Sequence, residues 1–191
     1  MAGRWIPLAE VARPHGVWGE VRLKVYNSDS DLLFSQTEVL VQAPERKDVM
    51  MQVESVRGAD TGYLLAKFRG VDGRDAADHL RGAAVCVERE RFPELDEGEF
   101  YVCDVIGARL VGPRGGSSNG HPLGEVADFV SYPSADVLII KLGAAPSTTI
   151  ELPLVDDFVE RVDTASGEVV LRAEGLEWIE AASAGSKRHA D

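Results

Sequence analysis

Polar and apolar positions alternate through the first half of the chain. Val21, Leu23 and Val25 alternate with Glu20, Arg22 and Lys24, the period-two pattern of a half-buried strand. Leu64, Ala66 and Phe68 alternate with Lys67 and Arg69 in the same way. Further strands are predicted at Trp5–Ala12, Val39–Gln42, Val49–Val56 and Ala83–Glu88. Six short strands joined by tight turns such as Ala59-Asp60-Thr61-Gly62 predict a small closed barrel, which leaves no sheet edge exposed. One helix is predicted over Gly73–Leu80, with Ala76, Ala77 and Leu80 as its apolar stripe, Asp72 as N-cap and Gly82 beyond its end. Its place would be one mouth of the barrel.

The periodicity stops at residues 92–98, where Pro93, Gly98 and acids stand without an apolar repeat, the pattern of a linker. A second β-rich region follows, with strands predicted at Ile106–Val111, Leu123–Ser131, Val137–Leu142, Thr148–Leu152 and Val169–Ala173. Val155, Phe158, Val159 and Val162 share a helical face and predict a short helix within Pro153–Val162. Gly112–Gly120 is rich in Gly, Ser and Asn and reads as a mobile hairpin loop. The expected division is a first domain at 1–91, a linker at 92–98, a second domain at 99–180 and a flexible tail at 181–191.

Charge sharpens that division. Residues 1–92 hold 13 Lys and Arg against 14 Asp and Glu, whereas residues 93–191 hold 7 against 18. The first half is nearly neutral and the second carries a net charge of -11, almost all of the chain's -12. Two modules with different partners are implied: an acidic one suited to a basic protein, and one whose local cations can lie against RNA phosphates. The simpler alternative is that acidity serves solubility alone. No apolar run approaches the ~20 residues that span a bilayer, and Trp5–Glu10 does not read as a signal peptide. A cytoplasmic protein without membrane contact is expected. Cys86 and Cys103 form no CxxC motif and read as small core residues of a reducing compartment.

Two segments concentrate side chains capable of recognition. Arg13-Pro14-His15-Gly16-Val17-Trp18-Gly19-Glu20-Val21-Arg22 joins two strands, with Pro14, Gly16 and Gly19 as the turn formers. Arg13, His15, Trp18 and Arg22 are the candidate RNA contacts; the plain alternative is a core Trp, a solvated Arg and a structural His. Gly98–Gly107 opens the second module with Phe100, Tyr101 and Asp104 as candidate protein contacts. Adjacent aromatics on an extended chain face opposite ways, so one can enter the core while the other meets the surface. Catalytic patterns are missing: His79 lies on the predicted helix, His121 in the loop and His189 in the tail. No nucleophile elbow or phosphate-cradling Gly loop occurs, and Asp156-Asp157 reads as a solvated helix start. No metal, cofactor or enzymatic activity is expected, and an RNA-processing nuclease lacks the metal-binding cluster it would need.

The ordered motifs resemble the RimM family of ribosome maturation factors over about residues 5–178. They are His15-Gly16-Val17-Trp18-Gly19-Glu20, the run Gly70–Gly82 with Arg74, Ala77 and Leu80, Glu99-Phe100-Tyr101 with Asp104 to Gly107, Leu123-Gly124-Glu125-Val126, and Gly175-Leu176. The resemblance implies an all-β fold of two barrels, a six-stranded translation-factor-type barrel followed by a PRC barrel. It implies a non-catalytic chaperone that assists assembly of the small-subunit head and processing of its ribosomal RNA, bound to the head protein numbered nineteen. Phe100 and Tyr101 match the family's paired aromatic position in binding the precursor particle. Trp18 and the long Gly112–Gly120 stretch depart from the family's pattern. A monomer is expected, since each barrel closes its own edges. A general protein-interaction adaptor without RNA contact is the rival reading.

Overall fold

β1 (Trp5–His15) closes the first half of the chain into a barrel by pairing with two strands in succession. The computed structural model describes residues 3–28, 30–43, 46–96, 98–113, 122–143 and 148–186. The chain divides into two units, Met1–Glu94 and Leu95–Asp191.

In the first unit, β1 is followed by β2 (Glu20–Val25), β3 (Glu38–Gln42), β4 (Val49–Gly58), β5 (Tyr63–Phe68) and β6 (Ala84–Glu88). The barrel order is β1-β2-β5-β4-β3-β6, with β6 returning to β1, and every ladder is antiparallel. Register shifts at Pro7/Ala9 and Val11/Arg13 bend β1 so that one strand serves both neighbours, the bend that closure demands. Val11, Val21, Leu23, Ala66, Phe68, Val85 and Val87 point inward and are fully buried. The six strands predicted for this half are all present. α1 (Gly73–Asp78) lies against β1 and β2 and buries Ala77. Asp72 occupies the N-cap position but caps nothing; its carboxylate pairs with Lys67 at 3.1 Å instead.

The second unit opens with α2 (Val102–Val105), followed by β7 (Arg109–Val111), β8 (Pro122–Ser131), β9 (Asp136–Leu142), β10 (Thr148–Pro153), β11 (Val159–Asp163), β12 (Glu168–Leu171) and α3 (Ala173–Ser186). The sheet order is β10-β9-β8-β7-β12-β11. All six strands and α3 supply one core through residues such as Leu110, Val126, Ile140, Leu152, Val159, Val169 and Ile179. The fold is therefore all-β, two six-stranded units with few helices.

Three expectations for this half are corrected. Pro153–Val162 is not a helix: a single turn forms, with the Phe158 and Val159 amides donating to Val155 O, and the chain then extends as β11 to pair with β12. Sheet pairing overrides the helical spacing of the apolar residues. The strand predicted from Ile106 begins only at Arg109, because α2 and the left-handed Gly107 (φ 85°) occupy the preceding residues. The tail expected from residue 181 is helical to Ser186, and Ala182 packs on the core beyond Leu176 and Ile179.

Candidate functional site

The β1–β2 turn is anchored at its base by Gly19. That residue is buried at φ 84°, and a Cβ placed there would lie 1.9 Å from Val71 O. Only glycine allows both the conformation and the approach. Lys67 Nζ donates to the same carbonyl and thereby ties β5 to the segment before α1. Gly16, also left-handed at φ 62°, begins the turn. Pro14 is half-buried opposite Val21 and contributes to the barrel wall.

What this base presents is largely solvent-exposed. Trp18 is 80% exposed and Val17 65%, which overturns the alternative of a core tryptophan. Arg13 and His15 are exposed on β1, opposite Arg22 and Glu20 respectively. Arg22 is more constrained: it pairs with Asp60 and its guanidinium lies 4.2 Å from the Tyr63 ring centroid. Glu20 accepts two hydrogen bonds from Arg57 Nη2, each 2.9 Å. Arg13, His15 and Arg22 thus lie on the two strands that the turn joins; Arg22 reaches away from the turn toward Asp60 and Tyr63, and Arg57 reaches Glu20 from β4, a strand that sequence reading did not link to the turn.

The second candidate segment lies at the entry to the second unit. Phe100 packs against the core, and Tyr101 is half-buried at the N-cap position of α2, where its carbonyl accepts the Asp104 amide at 2.8 Å. Sequence reading missed Val102 and Ile106. The Ile106 amide bonds Val102 O, which places the two one helical turn apart, and they are 40% and 38% exposed. Residues 92–108 hold five acids and no Lys or Arg, so these apolar positions sit in a strongly negative stretch of chain.

Among the described residues no three His, Cys, Asp or Glu side chains cluster as metal ligands. His79 is exposed, its Nδ1 2.6 Å from Asp75 O, and Asp156 and Asp157 are exposed in the turn before β11. His121, His189 and most of Gly112–Gly120 lie outside the described residues. Cys86 is fully buried, and burial foremost, with Asp48 adding to it, pushes its thiol up to about 11. A thiol held protonated is a poor nucleophile.

The model of the RimM N-terminal domain matches residues 6–92. A ribosome maturation factor RimM from Sorangium cellulosum (strain So ce56) is 45% identical over 177 residues, covering 92% of this chain and 99% of that protein. One from Azotobacter vinelandii is 36% identical over 167 residues, covering 86% and 89%. The solution structure of the RimM N-terminal domain from Thermus thermophilus matches 49% of this chain and 99% of its own, with a TM-score of 0.38 at 19% identity.

Proposed function

Because the chain belongs to the RimM family of ribosome maturation factors, we propose that it is a non-catalytic assembly factor of the small ribosomal subunit. It assists maturation of the subunit head and processing of its ribosomal RNA by binding, with no bond made or broken. The acidic second unit holds a basic partner, the head protein numbered nineteen, and the first unit meets the precursor RNA. Phe100, Tyr101 and Asp104 belong to the protein-binding region, with Val102 and Ile106 as its apolar anchors. Arg13, His15, Trp18 and Arg22 belong to the RNA-binding region. The protein works as a cytoplasmic monomer.

The observation that carries this reading is an apolar pair, Val102 and Ile106, displayed within a stretch of five acids and no cations. Ribosomal proteins are basic, and a negative field around exposed apolar anchors both steers and seats such a partner. Two weak contacts on one chain reinforce each other through effective concentration. The test is co-sedimentation with free small subunits, large subunits and mature ribosomes at moderate salt. Binding to free small subunits alone is expected; equal binding to all particles, or to none, would refute the role.

A further inference from the structure

Strand registers line up one outer row of the first barrel. Arg13 of β1 lies opposite Arg22 of β2, Arg22 opposite Leu65 of β5, and Leu65 opposite Arg57 of β4. At a strand spacing of about 4.8 Å the row spans about 14 Å. In the neighbouring row Lys24 lies opposite Glu10 on one side and Tyr63 on the other. Like charges set opposite one another across strands repel, and the protein offsets this only in part. Asp60 pairs with Arg22 and Glu20 with Arg57, while among the described residues neither Arg13 nor Lys24 has an ion-pair partner. Four cations against Glu10, Glu20 and Asp60 leave this face one positive charge in excess, on a chain whose net charge is -12.

The β1–β2 turn lies beyond Arg13 and Arg22 along their strands, past the pairs Pro14–Val21 and His15–Glu20. Its indole is exposed, yet its backbone is held by Gly19 against Val71. An exposed tryptophan on the turn between two cation-bearing strands, with Arg13 and Lys24 without an ion-pair partner among the described residues, combines the two elements that grip an unpaired strand, a stacking face and a cationic track. From this the geometry points to single-stranded RNA as the occupant of this face, with one unpaired base stacked on Trp18 and the phosphates running along Arg13, Arg22, Lys24 and Arg57. Duplex RNA does not fit: its bases are already stacked, and its major groove is too deep and narrow for side chains to read. Asp60 and Glu20 hold two of the arginines in place until phosphates replace them. Lys24 enters the site through strand register, and Arg57 and Tyr63 also through their contacts with Glu20 and Arg22. The inference rests on the ribosomal role proposed above and specifies how its RNA contact is made.

Tryptophan fluorescence tests it. The chain has three tryptophans, and Trp178 is partly shielded, donating to Glu151 O at 3.0 Å. The full-length protein is titrated with a mixed-sequence RNA single strand of about 10 nucleotides, and with a duplex of equal length. Single strands should quench the emission and the duplex should not. Trp18→Ala should abolish the quenching and weaken affinity about tenfold, and Trp18→Phe should restore part of the affinity. With two to four phosphates engaged, log K should fall with log salt at a slope of about -1.4 to -2.8, and Lys24→Ala should make the slope shallower by about 0.7. Circular dichroism checks that each variant folds. Absent quenching, or equal binding of the duplex, overturns the inference. So does Trp18→Ala weakening particle binding while RNA affinity holds, since Trp18 would then contact protein. Co-sedimentation with small subunits, run beside the titration, separates the readings: particles bound without quenching would sink this inference and leave the maturation role standing.

Discussion

The two units use the same number of strands and complete their folds by different means. The first closes through hydrogen bonds, because the bulged β1 pairs with both β2 and β6. In the second, β10 and β11 end the strand order, and α3 contributes side chains at both. Trp178 of α3 donates to Glu151 O on β10, and its ring meets Phe158, just before β11, at a centroid distance of 5.2 Å. In each unit a glycine lets backbone approach backbone. Gly19 lies against Val71 O, and Gly175 lies against Phe158 O, where a Cβ would come within 2.3 Å. The closed ladder is bent in β1 and in β4, whereas a sheet finished by a helix needs that helix seated closely. Charge follows the same division: the nearly neutral barrel displays an exposed tryptophan, and the acidic unit uses its tryptophan as a fastening.

The largest effects should come from the two glycines. Gly19→Ala combines a left-handed backbone with a collision against Val71, and should cost about 2–4 kcal/mol. Gly175→Ala has no positive-φ penalty, but it forces α3 away from Phe158 and should cost about 2–3 kcal/mol. Urea unfolding should report the first loss through barrel probes and the second through near-ultraviolet signals from Trp178. Equal tolerance of alanine at both sites would show that neither close approach matters.

A pH-dependent difference comes next. The Cys86 thiol is raised in the folded barrel from its ordinary value of 9.0 to about 11, chiefly by burial. A group whose folded pKa is raised contributes its full stability below the unfolded value, and that stability is lost as pH climbs through the folded one. The barrel should therefore weaken between about pH 9 and 11, by roughly 2 kcal/mol. Cys86→Ala should flatten that dependence. Alkylation at pH 8 should reach half-buried Cys103 well before Cys86; the reverse order would contradict the burial argument.

The first barrel was the more legible half, for a physical reason. Its strands are half-buried, so apolar and polar residues alternate and announce both the element and its face, as Val21, Leu23 and Val25 do. In the second half, Val155, Phe158, Val159 and Val162 satisfy a helical period by coincidence, and only the need of β12 for a partner makes β11 a strand. α3 escaped notice because its apolar stripe is thin: Leu176, Ile179 and Ala182 among small and acidic residues resemble a tail. The candidate turn was legible from its glycines and aromatics, but the exposure of Trp18 was not, since an indole suits a core equally well. Val102 and Ile106 could have been found from their spacing of four in an acidic run. The arginine row could not, because Arg13, Arg22 and Arg57 meet only through strand register.

The smallest expected effect is also the sharpest contrast between the units, because it uses one substitution at two sites. Trp178→Phe removes the hydrogen bond to Glu151 O and trims the ring contact with Phe158. A neutral hydrogen bond contributes about 1 kcal/mol net, so the second unit should lose about that much. Trp18→Phe removes nothing the folded barrel relies on, since its indole is 80% exposed, and stability should stay within about 0.5 kcal/mol of the parent. Paired thermal melts of the two variants read the difference directly. A drop at Trp18 as large as that at Trp178 would mean that the turn's indole supports the barrel, and its exposure would then no longer argue for a partner.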